Sequence, residues 1–270
     1  MKRRNFIKTL GTGSLLIGTG VMPVKALASP ELTKLTILHT NDVHSRIEPF
    51  PMDGGRNQGL GGIGRRMALI NKIRQEEEHV LLLDAGDIFQ GTPYFNYFGG
   101  ELEIKLMSEM AYDAATIGNH DFDAGIDGLY KQLPLANFPF LIANYDFSDT
   151  IMAGKTKPFQ VFKKGNIRIG VFGVGIELDG LVPKALYKET RYLDPVKAAN
   201  EQAAILKYDE KCDYVVCLSH LGYKYRTNEI SDVALASVSK DIDLIIGGHT
   251  HTFLKEPTLV KNENGEAVMV

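Results

Sequence analysis

Tryptophan is absent from this sequence of 270 residues, and cysteine occurs only twice. Cys212 and Cys217 are separated by four residues. In one extended strand their Cα atoms would lie about 16 Å apart at roughly 3.3 Å per residue, whereas a disulfide requires about 7 Å or less. Within a shared strand the two cannot be bridged, and both are expected to be small buried apolar side chains.

An excess of basic residues is also missing, because 30 Lys and Arg stand against 33 Asp and Glu, for a formal net charge of −3. A surface with this balance does not attract the phosphate backbone of nucleic acids, so DNA or RNA binding is not expected. Any attraction for a phosphate group has to come from a local positive centre, and bound metal ions would supply one.

Long apolar runs are missing as well. The apolar, glycine-rich run Leu10–Met22 spans about 13 residues, short of the roughly 20 that a membrane-spanning helix needs. It lies between the basic segment Lys2–Lys8 and the small-residue signal Ala26–Ala28, which predicts a cleaved export signal over residues 1–28. Cleavage would leave a periplasmic or secreted protein with no membrane attachment. Because five basic residues would be removed, its net charge would be −8.

The predicted signal carries two adjacent arginines, Arg3 and Arg4. With Phe6 and Lys8 behind them, they resemble a twin-arginine signal, which exports proteins already folded. That route suits a domain that binds its metals before it crosses the membrane. A general secretory signal can also carry two arginines, and this alternative stays open.

The remaining residues, 29–270, alternate apolar runs with helical patterns. The predicted strands are Leu35–His39, Val80–Leu83, Ala114–Ile117, Phe140–Ala143, Phe159–Phe162, Ile167–Val174, Tyr214–Leu218 and Leu244–Ile246. The predicted helices are Ile63–Gln75, Glu101–Met110, Ile126–Leu133 and Pro195–Tyr208, the last with Asp194 as its N-cap. Several strands are uninterrupted apolar runs, which indicates that both of their faces are covered. This alternation predicts one α/β domain built as a layered sandwich.

The last residues predict a β-hairpin. Pro257–Lys261 and Glu266–Val270 flank a turn that contains Asn264-Gly265, a strong hairpin signal. The chain stops at Val270 while still in the second strand. We therefore expect a catalytic domain truncated at its C-terminal strand, with an edge strand at a natural terminus as the alternative.

Side chains of the kinds that bind metals follow five of the predicted strands. The segments are Asn41–His44, Asp84–Asp87, Gly118–Asp121, Ser219–His220 and Gly247–His251. Because the carboxyl ends of strands in an α/β sheet are where sites are built, these side chains are expected to converge. Imidazoles combined with carboxylates suit Zn²⁺, Mn²⁺ or Fe²⁺, whereas an all-oxygen set would suit Mg²⁺ or Ca²⁺ better; these two ions stay open as alternatives. Each segment alone is a weak signal, and their order in one domain is the strong one.

The same residues carry a resemblance to a known family. The order Asp-x-His, Gly-Asp, Gly-Asn-His-Asp, His and Gly-His-x-His resembles the calcineurin-like metallophosphoesterases. Three longer motifs are similar to those of the bacterial 5′-nucleotidase and UDP-sugar hydrolase branch: Leu-His-Thr-Asn-Asp-Val-His, Asp-Ala-Gly-Asp-Ile-Phe-Gln-Gly-Thr-Pro and Thr-Ile-Gly-Asn-His-Asp-Phe-Asp. The match runs from about Leu35 to the end of the chain. It implies a four-layer αββα sandwich with a site for two divalent metal ions.

The resemblance also implies a ligand set for each ion. One ion would be held by Asp42, His44, Asp87 and His251, and the other by Asp87, Asn119, His220 and His249, with Asp87 bridging the two. Two ions about 3.5–4 Å apart can activate a water between them and neutralise the charge of an in-line phosphoryl transition state.

His120 lies beside the expected ligand Asn119 but is not itself assigned as a ligand. In the family the matching histidine acts on the leaving-group side, where it stabilises or protonates the departing oxygen. Asp123 would orient the imidazole of His120 and fix its tautomer. A purely structural His120 is the alternative. Asp121, where relatives often have Glu, is expected to have a structural role.

The expected activity is hydrolysis of phosphate esters, with nucleoside 5′-monophosphates as the first substrates to test. UDP-sugar hydrolysis, cyclic-nucleotide hydrolysis and thiosulfohydrolase activity use the same kind of metal centre and stay open. A non-catalytic nucleotide-binding protein is the alternative from a different class, and the complete ligand set argues against it. Full-length relatives have a second, C-terminal domain that binds the substrate. Either such a domain is a separate protein partner that binds to this chain, or the enzyme acts without it as a broader phosphoesterase, and both readings stay open.

Overall fold

The structure is a computed structural model that describes residues 33–270. The predicted export signal, residues 1–28, lies outside the described residues. Among the described helices, none combines the length and the apolar composition that crossing a bilayer requires.

The strands form two main sheets and one short ribbon. They are β1 Thr36–Thr40, β2 Val80–Asp84, β3 Ala114–Ala115, β4 Tyr145–Asp146, β5 Phe159–Lys164, β6 Ile167–Gly175, β7 Arg191–Tyr192, β8 Tyr214–His220, β9 Leu244–Gly247, β10 Leu259–Lys261 and β11 Ala267–Met269. The first sheet is parallel and has the order β1-β2-β3. The second has the order β10-β11-β9-β8-β6-β5, and its four inner strands run parallel. The ribbon pairs β4 with β7.

The helices lie between these strands in the chain. They are α1 Ile63–Glu76, α2 Pro93–Phe98, α3 Glu101–Glu109, α4 Gly125–Gln132, α5 Lys184–Tyr187, α6 Pro195–Ala204 and α7 Asp232–Val238. The predicted N-cap of α6 is confirmed, because Asp194 accepts hydrogen bonds from the backbone N–H groups of Val196 and Lys197. The predicted helix is too long as an α-helix, since Ile205–Asp209 continues as a π-helical turn.

Three buried clusters define the layers of the fold. The cluster between the two sheets joins apolar side chains such as Leu83 and Leu141 to others on the second sheet, such as Val171 and Leu218. A second cluster covers the outer face of the first sheet with residues of α3 and α4. A third covers the outer face of the second sheet with residues of α6 and α7. The order helix, sheet, sheet, helix is the expected four-layer αββα sandwich.

Two local predictions have different outcomes. Phe140–Ala143 does not form a regular strand: Leu141 donates to Ala115 on the first sheet, whereas Ala143 donates to Gly173 on the second. A segment that divides its hydrogen bonds between two sheets cannot form a continuous ladder with either of them. The C-terminal hairpin is confirmed, with β10 antiparallel to β11.

The two cysteines have the predicted environment. Cys212 and Cys217 are both buried, and neither takes part in a disulfide within the described part of the chain. Burial raises the pKa of the Cys217 thiol well above its usual range, which keeps it protonated and unreactive.

Candidate metal centre

All seven predicted ligands lie at the carboxyl ends of strands. Asp42 and His44 follow β1, Asp87 follows β2 and Asn119 follows β3, all in the first sheet. His220 is the last residue of β8, and His249 and His251 follow β9, in the second sheet. The site is therefore built across the ends of both sheets. A hydrogen bond between the two sides, from the His249 backbone N–H to Asp42 Oδ1 at 2.9 Å, holds them together.

The backbone at these positions adopts a conformation that most residues avoid. Five of the seven predicted ligands are non-glycine residues with positive φ: Asp42 (48°), His44 (47°), Asp87 (56°), His249 (70°) and His251 (49°). Left-handed backbone at a non-glycine residue costs of order 1–3 kcal/mol and persists only where the surroundings enforce it. Such strain, repeated at the predicted ligands, is typical of a functional site.

Glycines make room for the ligands. A Cβ at Gly118 would lie 2.2 Å from Asp87 Oδ1, closer than any real contact. Gly86 has φ +89°, and a Cβ there would lie 2.9 Å from His220 Nδ1. The glycines in the Asp-Ala-Gly-Asp and Gly-Asn-His-Asp motifs are therefore required by the close approach of the ligand loops.

One group of ligands is buried. Asp87, His220 and His249 place one potential ligand atom each within 4.8 Å of one another. His220 Nε2 lies 3.1 Å from Asp87 Oδ2, and His249 Nδ1 lies 2.8 Å from Asn119 Oδ1. Of these side chains, those of Asp87 and His220 are almost completely shielded from solvent. We call these four residues the buried group.

The second group is more exposed than the first. Asp42, His44 and His251 also place ligand atoms within 4.8 Å of one another. His251 Nε2 lies 3.3 Å from Asp42 Oδ1 and 3.1 Å from His44 Nε2. We call these three residues the exposed group, because the side chain of His251 is 55% exposed.

Asp87 connects the two groups. Its Oδ2 atom lies 3.1 Å from His220 Nε2 in the buried group and 3.8 Å from His44 Nε2 in the exposed group. On the other side, His220 Nε2 lies 4.0 Å from Asp42 Oδ1. A carboxylate in this position can reach an ion in either group, which is the geometry that the predicted bridging role requires.

The surroundings of His220 indicate whether these residues fit a metal ion. Its Nδ1 donates to the carbonyl oxygen of Ala85 at 2.7 Å, so its Nε2 is the atom that faces the site. Nε2 is buried and lies close to Asp87, yet it has no partner with hydrogen-bond geometry among residues 33–270. A nitrogen that points between carboxylates without a hydrogen bond, and whose ring is oriented by a backbone carbonyl, has the environment of a metal-binding imidazole. The residues therefore fit a divalent cation.

The histidine ligands differ in their protonation equilibria. Burial lowers the pKa of His44 and of His249, which favours the neutral form that binds metals. Burial also disfavours protonation of His220, but the Asp87 carboxylate outweighs it and raises the pKa of His220 to about 9. Burial raises the pKa of Asp87, and His220 outweighs that effect and lowers it to about 2. Without a cation, His220 is therefore the protonated partner of the Asp87 carboxylate, and an ion bound in the buried group would have to displace the proton of His220.

His120 and Asp123 lie beside the exposed group and contact each other. His120 Nδ1 lies 2.8 Å from Asp123 Oδ2, and its ring centroid is 5.2 Å from that of His44. Its backbone N–H donates to Asp87 Oδ1 at 2.8 Å, which couples the position of His120 to the bridging carboxylate. The side chain of His120 is 39% exposed, so a ligand from solvent can reach it.

Asp121 is buried behind the ligands. Its Oδ1 accepts from the backbone N–H groups of Ile88 and Phe89, and its Oδ2 accepts from those of Asp87 and Gly118. Burial and the nearby Asp87 raise the pKa of Asp121 to about 7, whereas the four N–H donors favour its carboxylate form. Asp121 therefore joins the loops that follow β2 and β3. The sequence motif indicated a structural residue here but not which loops it connects.

Comparison with known proteins gives a consistent result. Residues 35–253 match the family model described as calcineurin-like phosphoesterase. The snake venom 5′-nucleotidase of Crotalus adamanteus is 36% identical over 258 residues, which cover 88% of this chain and 42% of that protein. The 5′-nucleotidase of Vibrio cholerae is 34% identical over 281 residues, covering 97% and 49% of the two chains.

A solved structure agrees with these matches. The 5′-nucleotidase precursor from Thermus thermophilus superposes with a TM-score of 0.77 at 33% sequence identity, over 87% of this chain and 48% of that one. The present chain thus spans about half the length of the relatives it matches. A family model that covers most of the chain and a fold shared with a relative of 33% identity establish the relationship, and the chain belongs to the calcineurin-like phosphoesterase family.

Proposed function

We propose that this protein is a dinuclear-metal phosphoesterase that hydrolyses nucleoside 5′-monophosphates. The observation that carries the proposal is the position of Asp87 between two separate ligand groups. Two adjacent cation sites that share a carboxylate suit a reaction in which charge develops on both the attacking and the leaving oxygen.

The proposal assigns each ligand to a site. Asp42, His44, Asp87 and His251 hold one ion, and Asp87, Asn119, His220 and His249 hold the other. Bound divalent ions supply Lewis-acid polarisation of the phosphoryl group and a lowered pKa for a bound water. Zn²⁺, Mn²⁺ and Fe²⁺ are the proposed ions because imidazole and carboxylate ligands are mixed in both groups, and elemental analysis of the purified protein tests this choice.

His120 is proposed to hold the proton that the leaving oxygen receives. Asp123 accepts the hydrogen bond from Nδ1–H, so the doubly protonated ring carries its second proton on Nε2 and can pass it to the leaving oxygen; the ring that remains is the neutral Nδ1–H tautomer. Because His120 is partly exposed while its backbone is fixed to Asp87, the imidazole can contact a substrate without leaving the site. Asp123 then acts by holding the ring in one tautomer and one orientation.

The substrate class follows from the relatives, whose names identify them as 5′-nucleotidases. The test is a comparison of kcat/KM for AMP, UDP-glucose, 2′,3′-cyclic AMP and a thiosulfate conjugate of cysteine, with the same metal-loaded protein. We expect AMP to be hydrolysed most efficiently. Preference for one of the other three would assign the activity to that branch, and nucleotide binding without any hydrolysis would support a non-catalytic binding protein.

Export and a substrate-binding domain are two further parts of the proposal. The composition of residues 1–28 supports export to the periplasm or medium. Fusion of these residues to a reporter that is active only when exported folded tests it, with both Arg3 and Arg4 replaced by Lys as the control. The relatives are about twice as long as the region they share with this chain, which supports a separate domain that contributes substrate contacts. A lower KM for AMP when such a domain is added in trans would support this part.

A further inference from the structure

A buried carboxylate lies behind the exposed group. Glu103 belongs to the first turn of α3 and is only 3% exposed. Its Oε1 accepts a hydrogen bond from the hydroxyl of Ser45, the residue that follows His44. Its other oxygen, Oε2, is buried and has no hydrogen-bond partner within residues 33–270. Buried carboxylates are rare and costly, so one that contacts the neighbour of a predicted ligand requires an explanation.

The backbone that Glu103 contacts is strained. Asp42, His44 and Ser45 all have positive φ, the last at 54°, so three of four consecutive residues are left-handed. Without restraints this segment would relax toward ordinary dihedral angles and move the imidazole of His44. Backbone hydrogen bonds to the neighbouring loop hold part of this segment. The His44 N–H donates to the carbonyl oxygen of Asp87 at 3.1 Å, and the Ser45 N–H donates to that of Ile88 at 2.9 Å.

Ser45 is also held through its side chain and its carbonyl group. Thr92 Oγ1 lies 2.8 Å from the Ser45 carbonyl oxygen and 3.1 Å from Ser45 Oγ, and its proton can be shared between these two acceptors. When Ser45 Oγ accepts from Thr92, its own proton is available for Glu103. A group with only acceptor oxygens at the end of this chain fixes the direction of both hydroxyl groups.

We propose that Glu103 is a positioning residue for the exposed group. By accepting the hydrogen bond from the Ser45 hydroxyl, Glu103 stabilises the left-handed turn at Asp42–Ser45. This turn fixes the direction of His44 Nε2 toward His251 and Asp42. This inference rests on the proposed metal sites.

The test measures metal affinity rather than activity. Glu103→Met removes the acceptor at nearly constant side-chain length, and Glu103→Gln keeps an acceptor oxygen in its place. Glu101→Gln is the matched control, because Glu101 lies in the same turn but is exposed and pairs with Lys105. Each protein is stripped of metal, loaded with Zn²⁺ and titrated with a competing chelator, while circular dichroism of the stripped form checks folding.

The parent and Glu101→Gln should bind two Zn²⁺ ions with the same two affinities. In Glu103→Met one of the two ions should bind about 10–100-fold more weakly, the range measured for residues that orient metal ligands, and the other should be unchanged. Glu103→Gln should restore most of the lost affinity. Ser45→Ala, a smaller change, should weaken the binding of the same ion. Combining Ser45→Ala with Glu103→Met should cause little further loss of Zn²⁺ affinity.

The outcomes separate the two proposals. A parent that binds no Zn²⁺ would overturn the metal sites and this inference together. A parent with two ions and a folded Glu103→Met variant with unchanged affinities would overturn only the role of Glu103. If Glu103→Met binds both Zn²⁺ ions more weakly by the same factor, Glu103 has a general structural role instead. If Glu103→Met does not fold, Ser45→Ala decides: unchanged Zn²⁺ affinity in that variant contradicts the proposal.

Discussion

The buried group and the exposed group use the same ligand types in different surroundings. In the buried group, the side chains of Asp87 and His220 are 1% and 0% exposed. In the exposed group, those of His44 and His251 are 17% and 55% exposed. The site therefore opens to solvent, and to a phosphate ester, on the side of His44 and His251, although Asp42 in the exposed group is only 5% exposed and His249 in the buried group is partly exposed.

The difference indicates a division of tasks. The buried group is fixed by the core, since Asp121 and the glycines at 86 and 118 hold its loops in contact. The exposed group has to be held from behind by hydrogen bonds while one side stays open, and its backbone is left-handed at every member, as it also is at Asp87 and His249 of the buried group. Substitutions in the buried group should therefore reduce folding stability. Substitutions in the exposed group should reduce mainly metal affinity and turnover.

The strongest test removes the residue that both groups share. Asp87→Ala should lose both ions, because each group loses a charged ligand, and kcat/KM for a phosphate ester should fall by at least about 10³-fold. Metal content by elemental analysis and a phosphate-release assay check this. Retention of two tightly bound ions would contradict the bridging position and leave two independent sites.

A second test leaves both groups intact. His120→Ala should lower turnover by about 10²–10⁴-fold, the usual contribution of a positioned general acid, without changing metal content. The measurements are kcat for a substrate with a poor leaving group, together with the metal stoichiometry. Loss of an ion from this variant would make His120 a ligand and would extend the exposed group by one residue.

A third test compares one histidine from each group. His251→Ala should lower the affinity for one ion about 10–100-fold. The stability of the metal-free protein should change little, since the side chain of His251 is mostly exposed. His220→Ala should instead destabilise the metal-free protein by about 3–5 kcal/mol, because it leaves the buried Asp87 carboxylate without its partner. Urea unfolding in the presence of a chelator measures both. Equal effects of the two substitutions on stability would remove the distinction between the groups.

The smallest expected effect concerns only the loops of the buried group. Asp121→Asn keeps the size of the side chain but replaces one acceptor oxygen with an NH₂ group, which would then face two backbone N–H donors. We expect a loss of about 1–3 kcal/mol in the free energy of unfolding, the cost of buried groups left without partners. Urea titration gives this value, with Asp127→Asn on the exposed side of α4 as the control. An unchanged midpoint would show that the loops are held by other contacts.

Much of the fold could be predicted because its signals are local. Uninterrupted apolar runs such as Val80–Asp84 are strands because both faces of the sheets are covered, and Asp194 begins α6 because its side chain caps that helix. The segment Phe140–Ala143 has the same apolar character, but its partners lie on two different sheets. Composition alone cannot show how hydrogen bonds are divided between distant strands.

The sequence by itself determined five candidate metal-binding segments and their order along the chain, because residue types and spacing are readable without coordinates. The resemblance to a known family then implied which seven side chains are ligands and that His120 pairs with Asp123. Only the tertiary structure decided that the ligands form a buried and an exposed group. That division depends on how two sheets meet at their carboxyl ends. The contact between Ser45 and Glu103, 58 residues apart, is of the same kind. Neither residue lies in a pattern typical of a site, and packing of α3 behind the first ligand loop is what places the carboxylate there.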